Sequence, residues 1–151
     1  MNVENKLAEM GISLPAMSAP KALYVPVVRT GNLLYVSGQI PMIDGKVLFS
    51  GKLGAERTPE EGEEAARACA INILATLKAE LGDLDRVKRI VKLQAFVSSA
   101  PGFYQQHIVA NAASQLLYDA LGEVGHHART AISVNQLPMD VTVEIEAIVE
   151  V

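Results

Sequence analysis

The last part of the chain carries two charged side chains where a sheet is expected to be apolar. Arg129 stands at the head of the run ARTAISV, and Glu144 lies inside the run VTVEIEAIVEV that closes the sequence. A guanidinium offers a planar pair of donors that matches a carboxylate. A nearby carboxylate can orient water or exchange a proton with it. Together these residue types could hold an anionic substrate and deliver water to it.

Period-two alternation predicts the faces of these two strands. Arg129 shares a face with Ala131 and Ser133, whereas Glu144 lies opposite an apolar, helix-covered face formed by Val141, Val143, Ile145, Ala147 and Val149. If QLPMD closes a hairpin, Arg129 and Glu144 are nearly cross-strand neighbours; an inserted strand would separate them. The pattern fits an exposed ion pair worth roughly 0–1 kcal/mol. It equally fits an anion site that a neighbouring subunit desolvates.

Other candidate residues give weaker signals. Cys69 falls on the buried side of a helix and is expected to be a core residue. His126 and His127 are adjacent, so in a strand they point to opposite sides, and His107 is distant from them; we expect no metal site. The Ser37–Gly38 pair follows a strand, where a glycine allows the backbone to approach a ligand closely. The sequence has no nucleophile-elbow, phosphate-loop or dinucleotide pattern in the required context.

Composition limits the class of protein. The 151 residues suffice for one domain, spanning 1–151, and the net charge of −4 disfavours binding to nucleic acid. The single cysteine, the absence of a signal sequence and the lack of a membrane-spanning run predict a cytoplasmic protein with no membrane partner. A mean hydropathy of +0.22 is high for a small monomer and indicates self-association.

The first part of the chain reads as a short helix within residues 1–11, a loop to residue 20, and then strands. LYVPVVR and LLYVS flank TGN as a hairpin, and Pro26 places the first of them at a sheet edge or a bulge. The Asp44–Gly45 turn leads into VLFSG, a third short strand.

The clearest element is a helix from Thr58 to Gly82, with Pro59 at its first position and a capping box completed by Glu61. Its apolar stripe comprises Ala66, Ala70, Ile73, Leu77 and Leu81. The following strand is predicted to place on one side Val87, Arg89, Val91, Leu93, Ala95 and Val97. The second long helix, FYQQHIVANAASQLLYDALG, is predicted to bury Tyr104, Ile108, Ala112, Leu116 and Ala120.

The element order is therefore β-β-β-α-β-α-β-β, with closing strands near 128–135 and 141–150. Two long helices cannot cover both faces of so wide a sheet, so we expect both on one face. The fold class is α+β, with the opposite sheet face uncovered.

Three segments together resemble the RidA/YjgF family, the reactive-intermediate deaminases with a chorismate-mutase-like fold. They are GNLLYVSGQIP (31–41), ARTAISVNQLP (128–138) and VEIEAIVEV (143–151). The similarity extends over nearly the whole chain from about residue 20. NAASQLL and GHHAR are similar to a longer branch of the family, often labelled endoribonuclease.

The resemblance implies a mixed, mostly antiparallel sheet whose open face lines the barrel of a homotrimer, with pockets between subunits. It implies that Arg129 binds the carboxylate of a small imino or enamine acid and that Glu144 positions the hydrolytic water. Tyr24 would line the pocket. Further substrate contacts would come from Ser37, Gly38, Ala131 and Asn111.

The implied activity is hydrolytic deamination of 2-imino acids to 2-oxo acids and ammonia, with no metal or organic cofactor. Ala131 departs from the cysteine that deaminases commonly carry two residues after the arginine. Two alternatives therefore stay open. One is a protein that binds a small carboxylate metabolite without turnover, and the other, less favoured by the acidic charge, is an endoribonuclease.

Overall fold

The computed structural model describes residues 2–18 and 22–151, and these contain three α-helices and seven strands. The helices are α1 (Val3–Glu9), α2 (Pro59–Leu81) and α3 (Gln106–Leu121). The strands are β1 (Val27–Thr30), β2 (Leu33–Gln39), β3 (Met42–Ile43), β4 (Lys46–Val47), β5 (Arg89–Ser98), β6 (Ala128–Val134) and β7 (Val143–Glu150). None of the helices in these residues combines the length and hydropathy needed to cross a bilayer.

Five strands form one sheet in the order β1-β2-β7-β5-β6, and β3 pairs with β4 in a separate hairpin. All pairs in the large sheet are antiparallel except β5 with β6, which are parallel. A parallel pair needs a long crossover, and α3 supplies it. The predicted mixed, mostly antiparallel sheet is confirmed, and β1, just after Pro26, lies at its edge as expected.

Both long helices lie on one face of the sheet, as predicted. The core between them is formed by alternate strand residues such as Leu34, Leu93 and Ile145, all buried against α2 and α3. On the opposite face, Val28 is 55 % exposed and Tyr35 is 45 % exposed. The described residues therefore leave this second sheet face, hereafter the open face, uncovered.

Helix α2 begins and ends as its sequence predicts. The Thr58 hydroxyl accepts from the Glu61 backbone N–H at 3.2 Å, and the Glu61 carboxylate accepts from the Thr58 N–H at 3.0 Å. Gly82 ends the helix with φ 76°, a left-handed conformation that suits glycine. All five residues of the predicted apolar stripe are buried. So is Cys69, whose thiol pKa is raised well above its usual value by burial.

The predicted stripe of α3 is correct at Leu116 and Ala120 but wrong at its N-terminal end. The helix begins at Gln106, so Tyr104 precedes it and is exposed, and Ile108 also faces solvent. The buried side is instead formed by Val109, Ala110, Ala113, Leu116, Leu117, Ala120 and Leu121. Small alanines on this side allow close packing against the alanine-rich α2, and both stripes satisfied helical spacing.

The predicted alternation of β5 fails at its start. The β5–β7 pairing shifts between Ile90 and Lys92, so Ile90 is buried while Arg89 is exposed. The expected face is correct from Leu93 onward. An extra residue in one strand reverses the alternation on either side of it, and single-strand periodicity does not show where that occurs.

Candidate functional site

The structure separates Arg129 from Glu144. Strand β5 lies between β6 and β7, with Leu93 opposite Arg129 on one side and Phe96 opposite Glu144 on the other. Arg129 shares its face with the core residue Leu93, whereas Glu144 alternates with the buried Val143 and Ile145 and so lies on the open face. Of the two arrangements left open by the sequence, the structure has the one with an inserted strand, because QLPMD connects strands that are not neighbours.

Arg129 projects from the edge strand β6 onto the side of α3. Its Nη1 donates to Asn111 Oδ1 at 2.9 Å and to Ser114 Oγ at 3.1 Å, and its Nη2 donates to the His107 carbonyl at 3.2 Å. The three acceptors follow one another at steps of four and three residues, about one helical turn each, so they lie along the same side of α3. Arg129 and Asn111, which were each predicted as substrate-binding residues, are thus in direct contact.

None of the three acceptors of Arg129 carries a charge. Within residues 2–18 and 22–151, no carboxylate lies within ion-pair distance of this partly buried guanidinium. A partly desolvated positive charge without an anionic partner is costly unless a ligand or another chain supplies one. The guanidinium lies at the edge of an open groove of about 670 Å³ that also includes Gln115, Tyr118 and His126.

His127 lies beside Ser114 and Arg129, and the sequence analysis did not predict it as a site residue. Its Nε2 lies 2.9 Å from Ser114 Oγ, and its Nδ1 lies 2.7 Å from the Gly125 carbonyl. Burial lowers the pKa of His127, and the nearby charge of Arg129 lowers it further. The only sequence signal was that His127 lies two residues before Arg129, a spacing that puts both side chains on the same side of an extended segment.

Ala131 follows Arg129 on the same face of β6 and packs partly against the core. It contributes a methyl group to the side of β6 that carries Arg129. We refer to Arg129, Asn111, Ser114, His127 and Ala131 as the arginine half-site.

Glu144 lies beside Gly38 on the open face. The pairing of β2 with β7 shifts between Val36 and Gln39, and this irregularity brings the Gly38 backbone against the Glu144 carboxylate. A Cβ atom at position 38 would collide with Glu144 Oε1, so only glycine fits here without a rearrangement. Burial raises the pKa of Glu144, and the neighbouring charge of Glu146 raises it further.

The segment before β1 is held alongside Ser37. The Ser37 hydroxyl donates to the Val25 carbonyl at 2.7 Å, and the Ser37 backbone N–H donates to the Pro26 carbonyl at 2.9 Å. These bonds place Tyr24 next to the Ser37 end of β2, with 58 % of its surface exposed. Tyr24, Ser37, Gly38 and Glu144 form the glutamate half-site.

A metal centre has little support in the described residues. Their one cluster of three candidate ligands is formed by Glu4, Asp83 and Asp85, away from both half-sites. Lys78 Nζ already donates to Glu4 at 2.6 Å, and the Val3 backbone N–H donates to Asp85 at 2.8 Å. Exposed acidic groups with such local partners are ordinary surface structure.

Comparison with known protein families identifies the family of this chain. Residues 4–150 match the family model described as "YjgF/chorismate_mutase-like, putative endoribonuclease". The chain belongs to this family. It is 50 % identical to Protein TCP17 of Trypanosoma cruzi over 98 % of this chain and 93 % of that protein.

Two further proteins are similar to this YjgF-family chain, one in structure and one in sequence. A crystal structure of the protein Atu1372 from Agrobacterium tumefaciens, described as of unknown function, superposes with a TM-score of 0.93 at 48 % identity, covering 99 % of this chain and 92 % of that one. The 2-iminobutanoate/2-iminopropanoate deaminase of Escherichia coli K12 is 31 % identical over 92 % of this chain and 97 % of that protein. The expected chorismate-mutase-like fold is thereby confirmed.

Proposed function

We propose that the protein hydrolyses reactive 2-imino acids to 2-oxo acids and ammonia, in sites that form between copies of the chain in a homotrimer. The observation that carries this proposal is the arginine half-site. Arg129 is partly buried, is fixed by three neutral acceptors, and has no carboxylate partner in residues 2–18 and 22–151. A small carboxylate entering the groove would supply the missing negative charge.

Separation of the half-sites within one chain supports a site shared between chains. Arg129 and Glu144 lie on opposite faces of the sheet, so one copy cannot bring both to a small substrate. Closed cyclic assembly places one surface of a chain against a different surface of the next. Exposed apolar side chains on the open face and near its edge give such an interface material to bury, namely Leu23, Tyr24, Val25, Val28, Tyr35 and Ile132.

The two half-sites suit the two requirements of imine hydrolysis. Arg129 would hold the substrate carboxylate and so fix the position of the adjacent C=N carbon. Water adds to that carbon, and the resulting carbinolamine loses ammonia as the C=O bond forms. Glu144 of the neighbouring copy would take a proton from the water and return it to the leaving nitrogen. Its raised pKa suits this exchange, since a carboxyl close to its pKa both accepts and donates protons.

The test is a rate measurement on freshly generated 2-iminobutanoate. We expect Arg129→Ala to lower kcat/KM by about 100-fold or more, because charge-assisted hydrogen bonds are strong and the substrate has a single carboxylate. Arg129→Lys should recover part of the loss, since an ammonium keeps the charge without the planar fork. Arg89→Ala, which removes an exposed arginine from β5, is the matched control. Equal rates for wild type and Arg129→Ala would overturn the proposal.

A second candidate is binding of a small carboxylate without turnover, and Ala131 is the observation that favours it. A methyl group at this position offers no hydrogen bond or thiol to the substrate. Calorimetry with 2-oxobutanoate would then show binding that depends on Arg129, in a protein with no imine hydrolysis. An endoribonuclease activity, the remaining alternative, is disfavoured by the net charge of −4.

A further inference from the structure

A chain of hydrogen bonds runs behind Arg129, through residues that the proposed chemistry does not use. It passes from the Gly125 carbonyl to His127, from His127 to Ser114, and from Ser114 to the Arg129 guanidinium, at 2.7, 2.9 and 3.1 Å. Ser114 lies in the middle of α3, and His127 enters β6 from the short 3₁₀ turn at Gly122–Gly125. Two separate elements thus meet on one side of the guanidinium.

The direction of each bond follows from the chemistry of the two ends. A carbonyl oxygen only accepts, so the proton on the imidazole is at Nδ1, facing Gly125. In the neutral ring Nε2 is then an acceptor, and it takes the Ser114 hydroxyl proton. The guanidinium only donates, so Ser114 Oγ receives the Arg129 proton on a lone pair. With His127 neutral, the form that its burial favours, the Ser114 hydroxyl donates to Nε2 and all three bonds are made. In the imidazolium, Nε2–H would instead donate to Ser114 Oγ, and the hydroxyl proton would lose this acceptor.

Gly125 makes this arrangement possible. A Cβ atom at position 125 would lie 2.5 Å from the Leu117 carbonyl oxygen, so a side chain there would push the turn away from α3. The turn therefore packs against the helix backbone, and His127 reaches Ser114 as a result. The adjacent His126 is not part of the chain, since its ring lies against Tyr118 at a centroid distance of 4.6 Å.

We propose that Ser114 and His127 are positioning residues for Arg129. His127 fixes the rotation of the Ser114 hydroxyl, and the hydroxyl holds Nη1 against α3, so that the donors left over on the guanidinium face the groove. Preorganising the fork in this way lowers the entropy that a carboxylate must lose on binding. The role in substrate binding rests on the function proposed above, but the fixed guanidinium does not.

The test combines nuclear magnetic resonance of the side chains with binding of 2-oxobutanoate. In the wild type we expect the Nδ1–H tautomer of His127 at neutral pH and separate signals for the Arg129 Nη groups, because their rotation is restricted. Ser114→Ala should merge those signals and raise the Kd for 2-oxobutanoate by about 5- to 10-fold. Ser114→Thr keeps a hydroxyl and should restore both properties. The control Ser133→Ala removes an exposed hydroxyl from β6, the strand that carries Arg129. It should change neither the Nη signals nor the Kd.

The result that overturns the proposal is an Nε2–H tautomer, or a Ser114→Ala variant with unchanged guanidinium signals. If the wild type bound no carboxylate at all, the proposed function would fail, and the two spectroscopic readouts alone would decide the positioning role. A Ser114→Ala variant that lost affinity while its Nη signals stayed separate would likewise contradict positioning.

Discussion

The arginine half-site and the glutamate half-site are built in different ways. Arg129 is held from one side by hydrogen bonds to α3, and no carboxylate of residues 2–18 and 22–151 lies within ion-pair distance of it. Glu144 is held by shape, because the Gly38 backbone packs against its carboxylate and burial raises its pKa. Under the proposed function, the first half would bind the fixed negative charge of the substrate, and the second would exchange a proton.

The largest expected effect comes from removing the proton exchange while leaving binding intact. We expect Glu144→Gln to lower kcat for 2-iminobutanoate by about 100-fold, within the range of a lost general base, with KM changed by less than about 3-fold. Arg129→Ala should show the reverse emphasis, a rise in KM. Glu80→Gln removes an exposed carboxylate from α2, away from the open face, and is the matched control. A Glu144→Gln variant that lost affinity instead would erase the division of labour between the half-sites.

A smaller effect is expected where shape holds the glutamate. Gly38→Ala places a methyl group against Glu144 Oε1, the end of a flexible side chain that can rotate away, so we expect destabilisation of less than about 1 kcal/mol together with a roughly 10-fold loss of kcat. The same substitution in a Glu144→Ala background should cost much less stability, because the collision is gone. Denaturant unfolding of the four proteins in this double-mutant cycle measures the coupling. An equal cost in both backgrounds would show that the contact does not constrain Glu144.

The smallest effect is a difference in pH dependence. Glu144 has a raised pKa, so its contribution to stability is present below its unfolded pKa and is lost as pH rises through the folded value. His127 has a lowered pKa, so its contribution is present above its unfolded pKa and is lost as pH falls through the folded value.

Glu144→Gln should therefore gain stability over wild type as pH rises, by less than about 1 kcal/mol. His127→Gln should instead lose less stability than wild type as pH falls below about 6.5. Urea unfolding from about pH 4 to about pH 8, at one fixed protein concentration, checks both signs. Parallel curves for wild type and Glu144→Gln would show that burial does not disfavour the Glu144 charge.

Local signals in the sequence were sufficient for much of the fold. The capping box at Thr58, the stop at Gly82 and the alternation of the last strand depend on neighbouring residues only, and the structure has all three. The order of elements was also correct except before α2, where the hairpin of Met42–Ile43 and Lys46–Val47 takes the place of the predicted strand VLFSG. The insertion of β5 between β6 and β7 was left open, because strand partners depend on which hydrophobic faces meet across the whole domain.

The site was predicted less completely than the fold. Arg129 and Asn111 do meet, and Glu144 lies at Gly38, but the two groups are on opposite faces of one chain. The partnership of Ser114 with His127 depends on a turn packed against a helix, which no periodicity encodes. The buried side of α3 was missed only at its N-terminal end, because the helix begins at Gln106, later than the sequence pattern indicated.

The most direct test of the central claim is complementation between two inactive variants. Arg129→Ala and Glu144→Ala are each expected to keep about 1 % or less of the wild-type rate on 2-iminobutanoate at substrate concentrations well below KM. When equal amounts are unfolded together and refolded, sites with an intact Arg129 from one chain and an intact Glu144 from the next should form. In a cyclic oligomer with random mixing, about a quarter of wild-type activity should return. A mixture as inactive as its components, in oligomers shown by mass to contain both chains, would contradict a site shared between copies.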